Sequence, residues 1–310
     1  MGKIYNNEAY EELIKIIISD TFYCDNVSYD VRISQIRRFT EVILRRLLHC
    51  SKNKQLTVGD KNTKKLLEEN GFVEDLFWDA LKVIKKSGNV RTHTEKIKIA
   101  TREDFDKVVL RLFDLYGYMF YKYFEKYEFG SNPSIVTAFS ILPPIIRHIT
   151  LRLLYDKQSN RLIEEKLLLA TVKAYDFEYA KDWLESQRDK LEKINNKVSL
   201  DQQKKLIDTL GIEYANMIIM DIENKTVYDE LSKKLSSFTA YKPLYKTFEE
   251  AVVYYKKNGI VEGETMDVVE FNDLMEFVYI GRKEKESELE ENQLENDVLE
   301  KLVCESNISE

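Results

Sequence analysis

The chain has three histidines, and they bound the proton-transfer chemistry open to it. A Ser-His-Asp or Cys-His device would have to use His49, His93 or His148. His49 closes an arginine-rich segment beside Cys50, the place of a helix-terminal histidine near the negative end of a helix dipole. His148 follows Arg147 in an apolar run and reads as a core or interface histidine. His93 stands apart because it ends the stretch Lys85-Lys86-Ser87-Gly88-Asn89-Val90-Arg91-Thr92-His93, four residues after an asparagine and close to three cations. Asn89 and His93 could simply fix a turn by hydrogen-bonding the backbone at a helix end. They are also the only pair in the chain whose spacing suggests a polar site.

Other chemistry is thinly supplied. Cys24, Cys50 and Cys304 are odd in number and widely spaced, with no CxxC pair, so neither a disulfide framework nor a zinc site is expected. That pattern fits a reducing cytoplasm. GxxxxGK[ST], GxGxxG, HExxH, GxSxG and EF-hand signatures are missing, so no cofactor and no metal is expected. Tyr241-Lys242-Pro243-Leu244-Tyr245 and Tyr254-Tyr255-Lys256-Lys257 interleave aromatics with lysines, a pattern that can stack bases and hold phosphates. With 19 tyrosines in the chain, packed helix faces with snorkelling lysines explain it better.

The elements that carry these residues are helical. Ten glycines and four prolines in 310 residues are less than half the usual share of about 12%, too few for the turns of sandwiches, barrels or doubly wound sheets. Apolar spacing predicts helices near 9–18, 31–49, 64–70 and 73–86, the last stopping at Ser87-Gly88-Asn89. Thr101-Arg102-Glu103-Asp104 resembles a capping box and opens the longest amphipathic helix, which Gly130-Ser131-Asn132-Pro133 ends. Further helices are predicted over 135–142, 144–155, 160–175, 177–195, 199–211, 212–222, 227–236, 248–257 and 268–279. The most apolar stretch, Ile135 to Leu154, is broken by Pro143-Pro144 and carries Arg147 and His148, so no membrane span is expected.

With 44% hydrophobic residues, the chain can bury a core, and its length suggests two domains. The expected organisation is all-α: a helical bundle over 1–130, a second helical domain over 131–281, and an acidic tail over 282–310. The whole chain is at −7. From Arg282 onward four basic residues face ten acidic ones, which leaves the first 281 residues at −1. The tail is therefore expected to be dispensable for folding, and the body has no global field for nucleic acid.

Residues 8–127 as a set resemble a known family. Arg38-Phe39-Thr40-Glu41-Val42-Ile43-Leu44-Arg45-Arg46-Leu47-Leu48, then Leu56-Thr57-Val58-Gly59, then the Gly88-Asn89-x-x-x-His93 turn before a long helix, look like the HEPN-like helical domains of bacterial restriction and phage-defence proteins. The likeness is nearest to the branch bearing a GN-x-x-x-H turn. The catalytic ribonucleases of that family carry Arg, a polar residue, three others, then His. The resemblance implies that Asn89 and His93 hold the second and last of these places, while Gly88 stands where the arginine should be. Cleaving a phosphodiester needs one group to polarise the phosphate and another to move a proton. Lys86 or Arg91 would have to supply the missing charge. The resemblance thus implies a degenerate, non-catalytic binding or assembly component, acting as a homodimer or with a protein partner in a defence complex, with RNA or DNA as a further ligand. The alternatives are a metal-independent endoribonuclease with a displaced basic residue, built on His93, Asn89, Arg91 and Lys86, and an all-α scaffold unrelated to nucleic acid.

Overall fold

A computed structural model describes residues 8, 10–50, 54–89, 99–158, 160–194, 198, 200–238 and 244–285. Among them are fifteen helices and no strand, so the chain is all-α. The N-terminal half runs α1 (Glu11–Phe22), α2 (Tyr29–Leu47), α3 (Lys61–Glu69), α4 (Asp75–Asn89) and α5 (Arg102–Lys126). Next come α6 (Pro133–Phe139), α7 (Pro144–Lys157), α8 (Arg161–Ala174), α9 (Phe177–Ser186), α10 (Arg188–Leu191), α11 (Leu200–Leu210) and α12 (Ile212–Glu223). The last three are α13 (Val227–Ser236), α14 (Phe248–Asn258) and α15 (Met266–Tyr279).

Local chemistry starts most of these helices. Ser28 accepts from the Val31 amide, and Asp60 from the amides of Asn62 and Thr63. Thr101 with Asp104, Thr226 with Asp229 and Thr247 with Glu250 form full capping boxes, satisfying first-turn amides that the helix itself leaves open. Pro144 occupies the first turn of α7, where a missing N–H costs nothing, so the prolines break the apolar run as expected. No helix among the described residues is long and apolar enough to cross a membrane.

α5 is the hub. Its residues 114–121 are buried without interruption, on all sides of the helix. Tyr118 stacks on Phe77 of α4 at 4.6 Å, Tyr116 meets Phe39 of α2 and Phe248 of α14, and Phe120 meets Phe139 of α6 and Phe271 of α15. The turn at Gly130, where φ is +98°, stands at the expected end of the first bundle, yet the apolar core continues across it. α5 and α7 cross at Gly117. A β-carbon there would lie 2.4 Å from Cγ2 and 2.7 Å from Cβ of Ile149. Gly117→Ala should therefore lower stability by about 1–2 kcal/mol, because overpacking outweighs the gain in helix propensity. Thermal or urea unfolding checks this, and a more stable variant would show that the crossing yields freely.

Three expectations change. α4 runs past the expected 86 to Asn89, the last residue of the Ser87-Gly88-Asn89 triplet. Gly88 lies under the Arg37 side chain of α2, whose Cδ would be 2.6 Å from an added β-carbon, so the glycine allows the two helices to pack closely near the end of α4. The single helix expected over 177–195 breaks at Gln187, whose side chain accepts from the Tyr155 hydroxyl while Leu191 turns into the core. Arg282, expected to head a loose tail, is buried, and residues 283–285 dock on the body. There the Lys283 amide donates to Tyr23 and the Lys285 amide to the Glu249 carbonyl. Residues 286–310 lie outside the described residues.

Candidate binding groove

α3, α4 and Leu44 of α2 border an open groove of about 520 Å³. Its volume falls within the roughly 300–1,000 Å³ of small-molecule sites. Leu44, Leu67 and Leu81 contribute the apolar floor, and Trp78 forms one wall with its indole N–H committed to the Phe72 carbonyl at 2.9 Å. Lys61, Lys64, Lys82 and Lys85 reach it from two helices, against Asp60 and Glu68. Asp60 is occupied in capping α3, and Lys64 both pairs with Glu68 at 3.5 Å and lies 5.8 Å from the Trp78 ring centroid. Lys85 donates to the Gly59 carbonyl at 2.9 Å, tying the loop before α3 to α4. Gly59 has φ of +83° and no room for a β-carbon beside Lys85, so this lip needs glycine. The lining holds no histidine or cysteine. What converges is cationic charge, an aromatic face and an apolar floor, which can hold a phosphate or carboxylate bearing a flat group.

The sequence-predicted site residues relate to this groove only in part. Lys86 is exposed on α4, next to Lys85, but does not line the groove. Asn89 is the last residue of α4. Arg91 and His93 lie outside the described residues. The groove lysines were overlooked because Lys61 and Lys64 meet Lys82 and Lys85 only through the fold. A signal was present nonetheless: Trp78, Leu81, Lys82 and Lys85 recur at three and four, the spacing of one helix face.

Both other histidines are structural. His49 has φ of +47° just past α2, where its amide donates to Arg46 and the Cys50 amide to Arg45, a left-handed helix stop. It borders a crevice of about 140 Å³ between α2, α5 and α15 whose charges are paired, Arg46 with Asp273 at 2.6 Å and Lys126 with Glu270 at 2.6 Å. Burial holds the Asp273 carboxyl above its usual range against the pull of Arg46. His148 is buried, shares a hydrogen bond with Thr171 Oγ1 at 2.9 Å and stands edge-on to Tyr175. Burial, helped by Arg152, pushes its pKa down to about 4, so the ring is neutral at pH 7.

The tyrosine–lysine segments divide similarly. Tyr241, Lys242 and Pro243 are outside the described residues, while Tyr245 donates to the Ser140 carbonyl and Tyr255 stacks on Tyr279 at 4.1 Å. These rings are spent on packing. A polar cluster elsewhere joins Glu74 to Tyr118 and Tyr121, and Glu125 to Tyr121, Lys122 and Lys157. Burial alone would raise both carboxyls, but the donors around them hold both below the ordinary value, so they act as fixed acceptors tying α4, α5 and α7. No group of residues that could hold a metal ion occurs among the described residues. No family model, curated protein or solved structure matches this chain.

Proposed function

We propose that this chain is a non-catalytic, HEPN-like binding component of a bacterial defence or restriction-type system, and that the groove between α2, α3 and α4 holds a single-stranded nucleic acid or another phosphate-bearing ligand. Position 88 carries the proposal. Where catalytic members of the resembled family bear an arginine, Gly88 lies under Arg37 in an unbroken helix, and a side chain there would collide with its neighbour. The groove supports binding because its cations flank an aromatic wall.

Two measurements test this. Wild type and His93→Ala should both leave RNA uncut in metal-free buffer. A fluorescent single-stranded RNA should bind with an affinity that falls with salt, and Lys64→Ala/Lys82→Ala should weaken it about tenfold and lower the salt slope by about 2. RNA binding untouched by the double substitution would remove the groove from the proposal.

Arg37 itself favours a second reading. Its aliphatic chain crosses Gly88, so α2 could supply from outside the motif the guanidinium that the motif lacks, giving a metal-independent endoribonuclease with a displaced basic residue. Metal-free cleavage lost by about 10²–10⁴-fold in both Arg37→Ala and His93→Ala would establish that reading and overturn the first.

A further inference from the structure

The candidate groove opens to solvent along its length and is closed at both ends. At one end α3 turns back into α4, and the Trp78 indole N–H holds the Phe72 carbonyl of that turn at 2.9 Å. At the other, Lys85 donates to the Gly59 carbonyl, with Gly59 pressed against the lysine side chain. Trp78 and Lys85 stand two helical turns apart, so the length between the closures is about 10 Å. A strand running along the groove would need two exits, and these contacts leave it none.

The ring and the charges fit one unit of a particular kind. Trp78 is the one aromatic side chain in the lining, a stacking surface for a single base. Lys64 lies 5.8 Å from its centroid but belongs to an exposed pair with Glu68, a contact that gives way readily. Asp60 is occupied by the first amides of α3, and Lys85 by the lip. Lys61 of α3 and Lys82 of α4 remain, both exposed and without an ion pair among the described residues. Two uncommitted cations from the two bordering helices therefore serve one ring. An internal phosphodiester brings one negative charge per base, whereas a phosphomonoester brings about 1.5–2 at pH 7. The monoester is the better match.

We infer that the groove takes a nucleotide carrying its own phosphomonoester, as at the end of a single strand, with the base on Trp78 and the phosphate between Lys61 and Lys82. This rests on the reading of the groove as a phosphate-binding site and names what it selects. One internally labelled RNA sequence, offered to the full chain as 5′-phosphorylated, 3′-phosphorylated, hydroxyl-ended and circular forms, tests it. A phosphorylated linear form should bind about tenfold tighter than the hydroxyl-ended and circular forms, the effect of added charge-assisted contacts. Lys61→Ala/Lys82→Ala should erase that difference. Competition by adenosine or uridine monophosphate separates the sources: a mononucleotide as potent as the phosphorylated RNA keeps the inference and makes a free nucleotide the ligand. A circle that binds as tightly as the linear forms, and still weakens in Lys64→Ala/Lys82→Ala, overturns the inference while the binding groove stands. If neither any RNA form nor a mononucleotide binds, both fall.

Discussion

Replacing Arg282 with alanine should cost the fold about 3 kcal/mol, the low end of the penalty for breaking a buried charge cluster. Its side chain is 2% exposed. The guanidinium carbon lies 4.4 Å from the Phe22 ring centroid and 4.2 Å from that of Phe248, while Nη2 donates to the Tyr116 hydroxyl at 3.4 Å. Glu249, 3.9 Å from Nη1, also accepts from Tyr23 at 2.6 Å, so one cation organises groups from α1, α5 and α14. Alanine would leave a cavity between two rings and strip Glu249 of its counter-charge. The low end applies because Glu249 keeps partial contact with water and is not stranded. Arg282→Lys should fall between the two, keeping the charge and losing the flat stacking surface. The chain reaches this position through Gly281, whose φ is +74° and whose β-carbon would stand 3.0 Å from the Lys15 backbone. Equilibrium urea unfolding measures the loss. A change under about 0.5 kcal/mol would mean that Arg282 belongs with the tail after all.

The second large effect is hidden by compensation and should emerge in acid. Unfolded, His148 takes a proton near pH 6.5; folded, burial delays this to about 4. Between those values the unfolded state holds the extra proton, so His148 removes roughly 3 kcal/mol of stability as pH falls through that window. Asp114 runs the other way. Burial pushes its carboxyl up to about 6, with Arg111 at 2.9 Å drawing it back only in part. From about pH 6 to 4 the folded protein keeps a proton that the unfolded chain has released, so acid returns a similar amount, about 3 kcal/mol. These two residues should together leave the wild-type profile nearly flat from pH 6.5 to 4. Asp114→Asn removes the opposing slope, and its stability should drop by about 3 kcal/mol over that range relative to wild type. Denaturant melts at half-unit pH steps would show it, and parallel curves for the two proteins would refute the compensation.

The helices were legible in the sequence because what makes them is local. Apolar residues recurring at three and four mark the faces of α2 and α5, and Ser28, Asp60, Thr101, Thr226 and Thr247 satisfy first-turn amides within three residues of themselves. Interior placement of His148 was legible too, since one imidazole in an apolar run has few places to go. The end of α4 near Gly88 was legible, but its packing was not, because nothing near residue 88 announces that Arg37 of α2 lies over it. Arg282 was misread on net charge, which describes solvation of a segment but not one guanidinium slotted between Phe22 and Phe248. Of the candidate groove, the α4 half was written in the spacing of Trp78, Lys82 and Lys85, whereas its α3 half joined only on folding. The sequence by itself determined that the chain is helical and where most helices start. The tertiary structure decided which helix becomes the hub, which arginine enters the core and which lysines share a groove, because those outcomes depend on contacts between residues tens to hundreds of positions apart.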